Sequence, residues 1–341
     1  MRKKKRSCLG SIIRSVISLA IIVAILLGGA IGYLKLPVID YYNASRKAFE
    51  IPEINNGYVP QGLHYDQENG LFIMSGYIKD GSASPIYVVD GDGEMITKVT
   101  LKNPDGTVYC GHGGGVAVGE QFMYVTGGEK GSINVYDYDA VLNAERGAII
   151  DCLGEFSLNK GDEDYVGTSF VTVVGDRLIT GEFYRDESYP TAENHKFTTL
   201  AGDYNQALAI EFSLDSTSEF GINPKPVKAY SMPDQVQGLT IHDGKIYLST
   251  SWGLSFSHIH EYREDALQYQ TNITLLGHDL ELYAMDSASK SNDYKIAPMS
   301  EEIAFVGGEL YVHCESASDK YIFGKLTGAN YIYKTDLSKM K

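Results

Sequence analysis

Six polar positions, scattered over most of the chain, share one local context. Gln61, His112, Thr168, Gln237 and the adjacent Glu301 and Glu302 each stand at the start of a stretch that turns apolar, passes a tight Gly/Asp turn and becomes apolar again. Their types are those that bind through oxygen or move protons: two carboxyls, two amides, an imidazole and a hydroxyl. Gathered in one concave place they would form a polar site for a ligand, or an acid–base site for proton transfer. The same residue types also satisfy buried backbone groups where sheets meet. Trp252, the single tryptophan, leaves the second apolar run of its stretch. Its flat face and polar edge suit a sugar or a peptide.

Only a repeating architecture brings such distant positions together. The stretch occurs five times: PQGLHYDQENGLFIMSGY from Pro60, HGGGVAVGEQFMYVTGG from His112, TSFVTVVGDRLITGEFY from Thr168, VQGLTIHDGKIYLSTSW from Val236 and SEEIAFVGGELYVHCES from Ser300. Aligned on Gly62, Gly115, Phe170, Gly238 and Glu302, the copies are 53, 55, 68 and 64 residues apart. Each unit continues with an apolar strand ending in Asp, at Asp90, Asp137, Asp215, Asp286 and Asp336. A further strand follows in four of them: MITKVTL, AIIDCLGEF, PVKAYSM and YKIAPM. Four strands per unit at such a period describe propeller blades. The expected fold is therefore all-β, a five-bladed β-propeller over residues 46–341, with six blades if FSHIHEYR (256–263) forms a degenerate extra one. The fifth unit lacks its last strand, which would leave an open edge. AFEIPEI, near residues 48–54, is expected to pair with the strand near Tyr331–Asp336 and close the ring.

Residues 15–34 carry no charge and are long enough, at about 1.5 Å per residue, to cross a bilayer core. Arg2, Lys3, Lys4, Lys5 and Arg6 precede them, which holds a basic leader (1–14) in the cytoplasm and exports everything after the span. A cleaved signal peptide is the competing reading. Residues 35–45 are expected to link anchor and propeller. The first 35 residues hold seven basic residues and no acid, leaving 22 basic against 44 acidic residues in the body. An acidic body without a basic stripe argues against nucleic acid as a partner. Cys110, Cys152 and Cys314 form neither a disulfide framework nor a CxxC zinc motif.

The QGL/GGV starts and I-Y-V-x-D strands resemble exported bacterial β-propellers of the YVTN, SMP-30 and quinoprotein-like group. That resemblance implies a divalent cation, usually calcium, held at the channel by a carboxylate and amide oxygens. Glu301 would be the carboxylate, with Gln61 and Gln237 as oxygen donors. VPQGL (59–63) and SEEIAF (300–305) are also similar to plant-type glutaminyl cyclases, which implies cyclotransfer with Glu301 or Glu302 as proton shuttle. The long segments after the second strands, about 185–205, 253–279 and 315–329, are expected to cap the channel mouth. The leading expectation is a membrane-anchored, extracytoplasmic module binding a cell-envelope, peptide or carbohydrate ligand; the alternative is an enzyme at the channel mouth. His258 and His260 offer two imidazoles on one strand face without a third ligand, and Asp162-Glu-Asp164 reads as a solvated loop.

Overall fold

The computed structural model describes residues 8–127, 131–161 and 163–340. The basic residues 2–6 and Asp162 lie outside them. Apolar alternation and turn chemistry produce the expected blades. Asp243 and Gly244, at φ +48° and +70°, take the paired left-handed conformation of a tight hairpin between two strands of matching alternation. Gly307 and Gly308 do the same in the fifth unit, and Gly70, Glu120 and Gly175 supply single positive-φ positions in the first hairpins of the other three.

Blade 1 contains Tyr58–Asp66, Leu71–Ile78, Pro85–Val89 and Met95–Leu101. Blade 2 contains Val116–Gly119, Phe122–Thr126, Ser132–Asp137 and Gly154–Ser157. Blade 3 runs from Phe170–Val174 through Arg177–Gly181 and Ala207–Ser213 to Lys228–Met232. Blade 4 contains Val236–His242, Lys245–Thr250, Ser257–Arg263 and Lys290–Ile296. Blade 5 contains Ser300–Val306, Glu309–Cys314 and Tyr331–Thr335, and its fourth strand is Ser45–Glu50 from the start of the chain. The innermost strands neighbour one another in a closed ring, and apolar clusters fill the spaces between sheets.

The closing strand pairs antiparallel from Ser45↔Thr335 to Glu50↔Tyr331, so the seal forms with the expected partner. It lies a few residues earlier than AFEIPEI, because Ile51 and Ile54 bury themselves in the turn that enters blade 1. Phe49 couples the seal to that blade, with its ring 5.2 Å from that of Phe72.

Three assignments change. LYAMD, ending at Asp286, is not the third strand of blade 4. Strands Gln268–Leu275 and His278–Ala284 form a hairpin inserted in that unit, and the second of them pairs parallel with Lys228–Met232 of blade 3. Leu275, Leu280 and Leu282 are buried there, which is why the segment carries a strand pattern. FSHIHEYR supplies the third strand of blade 4 instead, with Ile259 and Tyr262 buried in the cores on opposite faces of the sheet, so no sixth blade forms among the described residues. AIIDCLGEF divides: Ile149–Ile150 joins the outer edge of blade 1, and Gly154–Ser157 completes blade 2.

The apolar leader is helix α1, Cys8–Lys35, within a helical stretch long and apolar enough to cross a membrane. The expected linker is ordered. Helix α2, Ile39–Ala44, follows a short 3-10 turn, and Val38 and Tyr41 are buried against the propeller. Tyr42 donates through its hydroxyl to the Thr327 carbonyl at 2.7 Å. The helix is thus set against blade 5 by packing rather than hung on a flexible tether.

Candidate functional site

One end of the channel opens into a cavity of about 550 Å³. Gln61, His112, Thr168, Gln237, Trp252 and Glu301 all line it. They arrive from blades 1 to 5 because each sits at the entry of an innermost strand or, for Trp252, at the exit of a second strand. In blades 1, 4 and 5 the register of the inner hairpin slips at these positions, between Pro60 and Leu63, between Val236 and Gly238, and between Ser300 and Ile303. A bulge re-aims a side chain that regular pleating would send elsewhere. Here the three bulges present Gln61, Gln237 and Glu301 to the cavity.

Glu302 is placed differently. It does not line the cavity but lies on the channel axis beneath it. Its carboxylate accepts N–H bonds from Leu63 at 2.9 Å, Val116 at 3.1 Å and Val171 at 3.0 Å, one from each of blades 1, 2 and 3. The glycines of the repeat make room for it. A Cβ at Gly115 would come within 2.6 Å of a Glu302 carboxylate oxygen, and one at Gly238 within 2.6 Å of its Cα. Burial raises the proton affinity of Glu302, and the three N–H donors oppose that rise. Thr168 is likewise tied to backbone, donating to the Ser132 carbonyl at 2.7 Å. For these two residues, bonding between blades accounts for the side chain.

Glu301 has the opposite character. It is 2 % exposed, yet among the described residues its carboxyl makes no hydrogen bond. Burial pushes its proton affinity well up, and the nearby charges of Glu315 and Glu302 add to the rise, while Lys320 opposes it. Glu315 is also raised, chiefly by burial. It accepts from Tyr321 Oη at 2.9 Å and from Gln61 Nε2 at 3.1 Å. The Gln61 carbonyl accepts from buried His313 at 2.9 Å, which locks the strand entry. Two carboxyls that resist ionisation together make the cavity floor both acidic and proton-rich.

The walls are largely aromatic. Trp252 meets Phe183 and Tyr189 at centroid separations of 6.0 Å, and the Arg185 guanidinium stacks 3.8 Å over its ring. Across the cavity the His112 ring lies 4.3 Å from Tyr77, whose hydroxyl accepts from Lys320. Burial, with Lys320 nearby, lowers the His112 pKa to about 4, so the imidazole is neutral at physiological pH. Tyr77, Phe183 and Glu315 are absent from the sequence-derived set, although each occupies the second-strand exit that Trp252 occupies in its own unit. Their shared place at the end of the second strand in each copy is the sequence signal that marks them. Lys320, Tyr321 and Tyr189 come from the long loops, whose side-chain directions no repeat dictates.

The expected cap is partly present. Residues 185–205 and 315–329 do form loops at this mouth, whereas most of 253–279 belongs to blade 4 and the added hairpin. Among the described residues no group of three or more His, Cys, Asp or Glu is arranged to hold a metal ion. Calcium asks for six to eight oxygens, several of them charged. Glu301 with the Gln61 and Gln237 amide oxygens would supply three side-chain oxygens, one of them from a carboxyl, while the two amide nitrogens donate to Glu315 and, at 3.4 Å, to Ser251 Oγ. His258 and His260 share Asp293, with Nδ1 to carboxylate distances of 2.6 and 3.3 Å, and so brace the blade 4 sheet. Asp164 accepts from the Leu276 amide and ties a blade 2 loop to the hairpin, rather than being solvated. Cys110, Cys152 and Cys314 are free.

No family model matches the chain, and no curated protein matches it. Among solved structures the chain is similar to the glutaminyl cyclase of Myxococcus xanthus, at 12 % identity and a TM-score of 0.42 over 85 % of this chain and 94 % of that one. It is also similar to the PQQ-bound aldose sugar dehydrogenase of Streptomyces coelicolor, at 15 % identity and a TM-score of 0.41 over 79 % and 76 % of the two chains. BamB of Moraxella catarrhalis gives 7 % identity and a TM-score of 0.34 over 84 % and 85 %. Two of these proteins are enzymes by name and the third is not. Likeness at this level carries no functional argument, and the propeller rests on the sheet topology itself.

Proposed function

We propose that this chain is a membrane-anchored, extracytoplasmic propeller that binds an amine-bearing ligand, such as a peptide amino terminus or an amino sugar, in the cavity at its open end. One observation carries the reading: Glu301, 2 % exposed and without a hydrogen bond to its carboxyl among the described residues, opens onto a cavity walled by Trp252, Phe183 and Tyr189. Its oxygens face the cavity, so a donor brought by a ligand can bond them directly and in surroundings largely shielded from water. An ammonium also favours the ionised form of both Glu301 and Glu315, while its apolar body covers the aromatic wall. Thermal unfolding of the full chain in detergent tests this with paired peptides. Peptides with a free amino terminus should raise the melting temperature, and their acetylated counterparts should not. Equal shifts, or none with any amine, would contradict the amine reading.

A second reading is favoured by the Glu301–Glu315 pair. Two neighbouring carboxyls with raised proton affinity can supply one acid and one base at neutral pH, as proton shuttling in a cyclotransferase requires. Incubation with a glutaminyl peptide should then release ammonia, and Glu301→Gln should abolish the release. No ammonia from a peptide that does shift the melting temperature leaves the binding reading alone.

A further inference from the structure

We propose that the loops beside the cavity mouth dock onto the lipid bilayer, so that the cavity opens at the membrane surface. The inference rests on the reading of α1 as a membrane anchor. Residues 10–29 of α1 are exposed throughout, so the helix projects away from the propeller instead of lying along it. Only its last turn touches the body, where Leu34 is buried beside Leu254, Phe256 and Leu326. These contacts belong to the loops after the second strands of blades 4 and 5, the same loops that wall the cavity. Trp252 and Gly253 line the cavity, and Leu254 follows them into the groove beside α1. Lys320 and Tyr321 line the cavity, and Ile322 and Phe323 follow.

Those following residues form an apolar tip. Ile322 is 80 % exposed, Phe323 70 % and Leu254 44 %, next to Tyr33 at 76 % and Leu36 at 68 % at the end of the helix. Grouped apolar side chains left to water mark an interaction surface. A bilayer that accepts α1 up to Tyr33 and Lys35 necessarily meets these tips, because they surround the point where the helix emerges. Charge agrees with a lipid partner. The body is strongly acidic, yet Lys35 ends the helix beside this patch and Lys295 Nζ lies 4.3 Å over the Phe256 ring, while nearby Lys325 is paired with Asp319. Lysines above an apolar tip suit anionic headgroups above acyl chains. The ligand of the cavity would then be presented at, or tethered to, the membrane.

The test uses the full chain reconstituted in phosphatidylcholine–phosphatidylglycerol vesicles. In a Trp252→Phe background, Phe323→Trp or Leu254→Trp reports contact with lipids brominated near the headgroup end of the acyl chain. Glu68→Trp, in an exposed turn at the opposite end of the propeller, is the control. Docking predicts at least twofold quenching with blue-shifted emission at 323 and 254, and neither effect at 68. Unquenched reporters on a chain that survives alkaline carbonate washing would overturn the docking and leave the anchor standing. Blue-shifted but unquenched emission would mean that protein, such as a second copy, covers the tips, and would also overturn it. Loss of the chain to the carbonate wash would remove the anchor and the docking together.

Discussion

Adjacent residues do unlike work in this protein. Glu301 and Glu302 follow one another at the entry of the blade 5 inner strand, and one faces the cavity while the other closes the axis. Glu302→Ala would leave the amides of Leu63, Val116 and Val171 unpaired in the interior. We expect a loss of about 3 kcal/mol or more in denaturant unfolding, with Glu302→Gln recovering part of it. Glu301 should behave in the reverse sense. Its folded proton affinity is raised above the ordinary value of 4.5. Its favourable contribution is therefore complete below that value and is lost as pH rises through the raised folded value. Glu301→Gln should unfold at a higher temperature than wild type near pH 7.5, by roughly 1–2 °C for each kcal/mol relieved in a propeller of this size, and at about the same temperature near pH 4. A melting difference that is flat across pH would contradict the assignment. The types and repeat positions of these residues were legible in the sequence. Their division into axis and cavity was not, because it depends on bulges that only the paired strands define.

Among the elements, the closing strand matters most to the ring. It spans Ser45–Glu50 and joins the two ends of the chain in one sheet, so the propeller cannot close until both ends are present. Phe49 is 5 % exposed and sits between that sheet and Phe72 of blade 1. Phe49→Ala should cost about 3–5 kcal/mol in unfolding free energy, as for other buried aromatic truncations. A loss under about 1 kcal/mol would mean that the seal contributes little. This element could be foreseen because the last unit was one strand short. The inserted hairpin 268–284 could not, since its alternation matches that of a blade strand and only its parallel pairing with blade 3 reveals its place. FSHIHEYR was obscured for a related reason: His258 and His260, braced by Asp293, interrupt the apolar run that its counterparts carry.

At the scale of the whole molecule, an acidic propeller carries its cavity at the end from which an apolar helix projects. Blade number, the seal and the convergence of distant polar residues follow from the repeat. The aromatic wall and Glu315 come from loops and strand exits whose residue types differ between the copies, while Glu301 stands at a repeat entry. The central claim is that the floor carboxyl recognises an amine against that wall. Trp252, the single tryptophan, stands in the wall and reports on it directly. The decisive measurement is a fluorescence titration of the full chain and of its Glu301→Gln variant with a peptide bearing a free amino terminus. We expect a saturable change in Trp252 emission for the wild type and at least tenfold weaker binding for the variant. An unchanged affinity in Glu301→Gln, or no saturable change with any amine-bearing ligand, would contradict it.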